Sequence, residues 1–596
     1  MDCAKRFTIN PAVIHKFDQP TRKEEENMKK RILAMFLVLA LALSCLAGCG
    51  SKDGDGGSSS GNSNEKYTVD IYDVAANFQG VQTGWFAKVV EDRFNLELNI
   101  IAPQVAGDEV YAARTSAGNL GDIVLLDQGQ FQDCVKAGLI KDISKDLANC
   151  PNLMNFKSQI DTFNTTVPDA NGAIYGIPTE MANTSATSYS QDTIASSPLL
   201  RWDLYKAVGS PEIKDLNGLL DVLAEMKEKF PTNDKGDACY PLSLWPDWDG
   251  GDGMLGIANV VQLTTWYGEK IKGSQILKPD NTFTPLTDKS ASYYKMLKFL
   301  NDANRRGLVD PDSFSQDWNS ACEKMSTGRV YLFWYSWQVG FWNSQERLEN
   351  GTAMRFIPVT DQSYYAEADA YYGSGRVFAV GSGVTGDKYD RIMKFLDWYA
   401  SPEGCEFQHA GIKDFNYSLT ADGKFKRMND NALMDNLPVP EEYGGAGYND
   451  GNNAINQWIV ASYSTNPNTG ETYASAGWST FKEETMTNMK KEWQEKFGAL
   501  EDVEWMKNNN KLVISPNVAV TLPTDNNDIG LIRNQCSSEI NTYSWKMIQA
   551  KDDAEFDALW DEMTEVLNGK GFQELLKFDL EKDTIELNAK LAAAGK

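Results

Sequence analysis

Residues 121–140 read GDIVLLDQGQFQDCVKAGLI. Within them IVLL is an unbroken apolar run of strand length closed by an aspartate, the pattern of a strand covered on both faces. Residues 131–140 space their apolar side chains as a helix does and reach a glycine, a common helix stop. Upstream the same alternation repeats. Residues 67–74, YTVDIYDV, are alternating and β-branched and read as a strand. Residues 83–94, TGWFAKVVEDRF, have helical spacing, 96–101, LELNII, read as a second strand, and a helix is expected near 108–117. Strands alternating with helices predict a mostly parallel α/β sheet. Such sheets bind ligands at the carboxyl ends of their strands, where Asn77, Gln79, Asp127 and Gln128 fall.

Downstream, 199–230 reads as two amphipathic helices turning at Gly209-Ser210-Pro211, and 289–306 as another helix. Residues 328–337, GRVYLFWYSW, read as an apolar strand followed by aromatics, and 376–380, RVFAV, as a strand. A helix over 387–404 is expected to stop at Pro402 and Gly404, and the more polar last third to carry helices at 480–496 and 552–580. The chain has 596 residues, 42% of them hydrophobic, and can bury several domain-sized cores. Its net charge of -26 repels polyanions, which argues against nucleic acid as a partner. Two histidines, His15 and His409, leave no material for a multi-histidine metal site, and no C-x-x-C occurs among the nine cysteines.

Residues 28–49, MKKRILAMFLVLALALSCLAGC, have a cationic start, an apolar run and small residues before a cysteine. This is the pattern of a secretory signal, and Leu-Ala-Gly-Cys resembles a bacterial lipobox. The resemblance implies cleavage before Cys49, lipidation of its thiol and tethering to the extracytoplasmic face of the cell membrane. Met28 reads as the true start, with 1–27 as translated leader. Residues 50–66 lack apolar side chains and read as a flexible tether.

From 67 to about 420, the segments GNLGDIVLLD (118–127), KAGLIKDISKDL (136–147), ANGAIYGIPTEM (170–181) and LLRWDLYKAVG (199–209) occur in an ordered series. The series continues with ANRRGLVDPDSFSQD (303–317), STGRVYLFWYSW (326–337) and KFLDWYASPEGCEF (394–407). It resembles the family 1 extracellular solute-binding proteins of bacterial ABC importers, in particular their large oligosaccharide-type lipoprotein branch. The resemblance implies an α/β, two-lobed periplasmic-binding-protein-like fold with a hinge and an interlobe cleft. It implies chain crossings near 178–181, 358–372 and 419–427, hence one lobe from 67–180 plus 372–425 and another from 181–371 plus 426–596. It also implies delivery of a captured solute to ABC permease subunits by a monomeric, non-enzymatic protein with no cofactor. The crossings add Glu180 and Tyr372 to Gln79 and Asp127 as candidate ligand contacts.

Sugars present C–H faces that pack on indoles and hydroxyls that need planar polar partners. Trp245-Pro246-Asp247-Trp248-Asp249 offers both, and Trp334 and Trp337 follow an apolar strand. Trp245, Asp247, Trp248, Trp334 and Trp337 are therefore candidate contacts, with core packing the competing reading for the indoles. Arg201 and Arg376 could receive acidic sugars. Gly381, Gly383 and Gly386 spell G-x-G-x-x-G but read as a strand-to-helix turn, because no second strand ending in an acid follows. Residues 525–528 and 232–237 look like fragments of calcium loops, but both lack the closing glutamate and read as solvated turns. Six further cysteines are too sparse for a disulfide framework. A secreted glycoside hydrolase, a peptide-binding lipoprotein and a surface adhesin remain alternative functions.

Overall fold

The computed structural model describes residues 65–107, 109–168, 170–428 and 437–596. The leader, the signal segment, Cys49 and all of the tether but its last two residues lie outside them. Among the described residues no helix is long and apolar enough to cross a membrane.

The first sheet has six strands in the order Gly80–Val81, Leu96–Ile101, Tyr67–Asp73, Ile123–Asp127, Arg376–Val380 and Gly176–Pro178. Tyr67–Asp73 runs parallel to both Leu96–Ile101 and Ile123–Asp127. Arg376–Val380 is antiparallel to the strands on either side of it, and Gly80–Val81 is antiparallel to Leu96–Ile101, so three of the five pairings are antiparallel and the sheet is mixed where a mostly parallel one was expected. Successive side chains of a strand point to opposite faces, so the central strands of the sheet feed two cores. Ile123, Leu125, Phe378 and Val380 enter one, and Val124, Leu126, Val377 and Ala379 the other. That double burial is why Ile123 to Leu126 are apolar throughout, while Asp127 at the strand's end is exposed.

The chain leaves this sheet after Pro178 and builds a second, larger core before returning at Arg376. There Ser196–Arg201 lies between Leu332–Tyr335 and Met354–Phe356, antiparallel to both. Around them pack Leu216–Lys229, Ser292–Arg305, Asn527–Ile548, Asp553–Gly569 and Phe572–Ala593. The sequence reading made 199–201 the start of a helix. The structure makes these residues the end of the central strand, because their alternating neighbours are paired on both sides.

The last third of the chain is divided otherwise than expected. Buried residues from Val439 to Tyr473 belong to the first core, and those from Met489 onward to the second. The reason is local. Gly84, at φ 79°, approaches Gly451 so closely that a Cβ would sit 2.3 Å from its Cα. One residue on, Trp85 stacks on Tyr448 at 5.3 Å and donates its indole N–H to the Tyr448 carbonyl. The third passage between cores therefore follows Tyr473 and does not fall at 419–427. Pro402 also acts differently from expectation. The helix Gly386–Tyr399 ends before it, and Pro402 opens a new helix, Pro402–His409, whose Ser401 cap accepts from the Gly404 amide. Thr487 likewise starts a separate helix within 480–496, and Gly571, at φ 91°, breaks 552–580 in two.

Candidate functional site

The second core ends at one surface in a cluster of aromatic rings. Trp334, the third residue of its strand, is 1% exposed and stacks on Trp245 at 5.3 Å with planes 5° apart. Trp245 is also 1% exposed. These two rings form the floor of the cluster and are not surface contacts, which corrects the expectation for both. The Pro/Asp/Gly composition after Trp245 suggested exposure, but Leu242 to Trp245 are all buried before the turn begins. Above the floor lie Trp248, 5.3 Å from Trp245, and Trp318, 4.6 Å from both Trp245 and Trp248. Trp337 stacks on Tyr335 at 5.1 Å and is 47% exposed. It lies within 6.1 Å of Trp248 and 5.5 Å of Trp318. A large exposed indole held by several rings is a preformed stacking surface.

Asp247 is exposed and accepts from the backbone N–H of Trp318 at 2.9 Å. Asp249 is half-buried and accepts from the Ala258 amide and the Trp545 indole, both at 2.7 Å, so it is part of the frame. Burial pushes its carboxyl up to about 6. Sequence reasoning missed Trp318 and also Phe341, whose ring lies 5.7 Å from Trp318 and 6.3 Å from Trp337. Trp318 lies just after the Asp317 helix cap, an isolated indole in sequence that joins the cluster only through the fold.

At the carboxyl end of Ile123–Asp127 the first lobe carries a row of polar groups. Arg376 donates to Asp127 at 3.3 Å and to the Gln457 side-chain oxygen at 3.0 Å. Gln457 in turn donates to Glu180 at 3.1 Å. Glu180 adopts φ 56°, unusual for a residue with a side chain, and its amide donates to the Trp458 carbonyl. The crossing at 178–181 is thus held against 457–460. The structure joins Asp127 and Glu180 through Arg376 and Gln457; sequence reasoning missed Gln457 because the later segment was placed in the other lobe. Asp73, at the end of its strand and fully buried, accepts from the Ala75 and Ala76 amides at 2.8 and 3.1 Å. Burial pushes its carboxyl up to about 7.

Gln79 uses its side-chain oxygen to accept from the Ala102 amide at 2.8 Å, bracing its loop. Tyr372 packs edge-on to Tyr371 at 4.9 Å and donates its amide to Asn517 at 2.8 Å. Arg201 stands apart from both groups. It pairs with Asp203 at 2.6 Å, lies 4.4 Å over the Trp342 ring and lines a separate cavity of about 590 Å3.

The motifs set aside in the sequence have structural roles. Gly381 is needed because a Cβ there would lie 2.1 Å from the Gly121 carbonyl oxygen, and the antiparallel strand before it is not a nucleotide-binding βαβ unit. Asn526 caps the helix Asn527–Ile548, and Asp525 pairs with Arg533 at 2.6 Å. Asn233 accepts from the amides of Lys235 and Asp237, closing a turn. His409 meets the Val460 carbonyl oxygen at 3.1 Å, and burial lowers its pKa to about 4, so its ring is neutral. Cys134, Cys150, Cys239, Cys322, Cys405 and Cys536 are free thiols.

A family model described as "Bacterial extracellular solute-binding protein" matches residues 79–404. Among solved structures, an HMO-binding, ABC-transporter-associated solute-binding protein from Bifidobacterium longum infantis aligns with TM-score 0.55 at 15% identity. The alignment covers 88% of this chain and 99% of that one. The Streptococcus pneumoniae substrate-binding protein FusA, solved with kestose, aligns with TM-score 0.51 at 15% identity over 87% of this chain and all of that one. An extracellular solute-binding protein from B. longum subsp. infantis gives TM-score 0.54 at 14% identity, covering 88% and 99%. At these identities the likeness establishes the two-lobed fold. No curated protein sequence matches this chain.

Proposed function

The chain belongs to the bacterial extracellular solute-binding protein family of ABC transporters, and from that premise we propose that it captures an oligosaccharide between its two lobes, releases it unchanged and delivers it to ABC permease subunits. The observation that carries the choice of solute is the ring cluster capped by Trp337, about half exposed yet held by Tyr335, Trp248 and Trp318. Oligosaccharides offer repeated apolar ring faces to such a surface, and the Asp127–Arg376–Gln457–Glu180 row supplies planar acceptors and donors for hydroxyls. The structural relatives solved as HMO- and kestose-binding proteins support this reading.

Closure follows from linkage. A ligand that touches both lobes stabilises the closed form by its differential affinity for that form. Cys49 carries the lipid that keeps the monomeric protein at the membrane, and the tether raises its effective concentration near the permease. Calorimetric titration with neutral oligosaccharides, uronates and peptides, followed by analysis of the recovered ligand, tests the proposal. Tight binding of an oligosaccharide recovered intact is expected. Hydrolysis at enzyme-like rates, or tight binding of peptides alone, would refute it.

A further inference from the structure

We infer that the site selects uncharged oligosaccharides and rejects uronates, because the one arginine in the polar row of the first lobe already faces a carboxylate and the charged groups around it are acids. This inference rests on the oligosaccharide reading and adds the charge class of the sugar.

Arg376 is the cation of that row. Its guanidinium is held by Asp127 at 3.3 Å, and its charge also acts on the buried carboxyl of Asp73. Its third partner, the Gln457 side-chain oxygen at 3.0 Å, is neutral. Capture of a sugar carboxylate wants a guanidinium whose two parallel N–H groups are free to make a bidentate pair. Arg376 gives its Nε–H to Asp127 and an Nη1–H to Gln457. A uronate pairing with the Nε edge would have to displace Asp127, and one pairing with the Nη1/Nη2 edge would share a guanidinium that already faces that carboxylate.

A second observation comes from the other side of the crossing. Asp369 is 1% exposed and is held only by neutral donors, from Thr184 at 2.9 Å and from Ser190 at 3.0 and 2.6 Å. Ala182 donates its amide to the Ala370 carbonyl, and Ala370 donates its own amide to the Tyr463 hydroxyl at 2.9 Å, so Asp369 lies beside the segment that carries Glu180. Buried charge of one sign is poorly screened. Hydroxyl groups, by contrast, are donors that a carboxylate such as Glu180 accepts without any cation. Arg201, the other arginine the sequence offered for acidic sugars, is tied to Asp203 in a separate cavity. An acidic sugar thus meets a negative field in the first lobe, and a neutral one meets acceptors.

The test is titration of the purified protein with neutral and acidic tetrasaccharides, xylotetraose, mannotetraose and kestose-type fructans against tetragalacturonate and alginate oligomers. It is repeated with Asp127→Asn, which keeps the side chain's shape and frees the charge of Arg376. The wild-type protein is expected to bind a neutral member and to show at least tenfold weaker binding of every uronate. Asp127→Asn is expected to raise the ratio of uronate to neutral affinity about tenfold, more at low salt than at high. Tighter wild-type binding of a uronate than of any neutral member overturns the selectivity while leaving the oligosaccharide reading intact. An unchanged ratio in Asp127→Asn overturns the assigned cause. Binding of peptides with no saccharide bound overturns the reading beneath and the inference with it.

Discussion

Replacing Trp337 with alanine separates a ligand surface from a core. The ring is 47% exposed, and its neighbours are the rings of Tyr335, Trp318, Trp248 and Phe341 at 5.1 to 6.3 Å. Truncating a fully buried tryptophan costs roughly 3–5 kcal/mol, so one that is half-buried and rests on rings that stay in place should cost about 1–2 kcal/mol of stability. The exposed half of an indole presents on the order of 100 Å2 for a sugar to cover. At about 25 cal/mol per Å2, with a further stacking contribution of about 0.5–1 kcal/mol, binding should lose about 3–3.5 kcal/mol, or roughly 150- to 400-fold in Kd. Trp334→Ala is the control. That ring is 1% exposed, so its loss should cost roughly 3–5 kcal/mol of stability. Calorimetry and thermal melting of both variants give the four numbers. A Trp337→Ala protein that binds with wild-type affinity but melts like Trp334→Ala would refute the assignment of the cluster.

Asp73→Asn should keep both amide hydrogen bonds to the side-chain oxygen while removing a buried charge. The folded carboxyl titrates at about 7, above its ordinary value of 3.8, so the native state holds the proton the longer. The stability this contributes is present in full below about pH 4 and is lost as pH rises through about 7. The variant should therefore exceed wild type by about 1 kcal/mol or more at pH 8 and match it near pH 4, as read by denaturant unfolding; equal stability at pH 8 would contradict this. Cys49→Ala, in cells given labelled fatty acid, should abolish labelling and leave precursor or freely released protein, whereas persistent labelling would remove the anchor.

The four longer strands of the first sheet were legible because they are largely buried and the helices between them are buried on one face, so period and length separate them; the short strands Gly80–Val81 and Gly176–Pro178, and the antiparallel pairings they and Arg376–Val380 make, were not. The strand 96–101 and the strand 376–380 match the structure at both ends. What failed depended on contacts distant in sequence. Ser196–Arg201 looks helical in isolation and is a strand because Leu332–Tyr335 and Met354–Phe356 flank it. The return of 437–473 to the first core depends on the close approach of Gly84 to Gly451, which no local pattern announces. The helix Asn527–Ile548 was missed because Arg533, Ser537 and Ser544 are buried among its apolar residues, which blurs the stripe. The same limit governed the site. The Trp245–Trp248 loop and the strand before Trp337 were visible as neighbours in sequence, but which indole is floor and which is surface is set by stacking between segments about 70 to 90 residues apart. The Gln457 link between Arg376 and Glu180 was invisible for the same reason.

The central claim is that two lobes close on an oligosaccharide. Small-angle X-ray scattering of the purified protein, with and without a saturating concentration of the tightest-binding saccharide found by calorimetry, tests it most directly. A smaller radius of gyration in the bound state is the expected result. An unchanged radius at saturation would contradict closure.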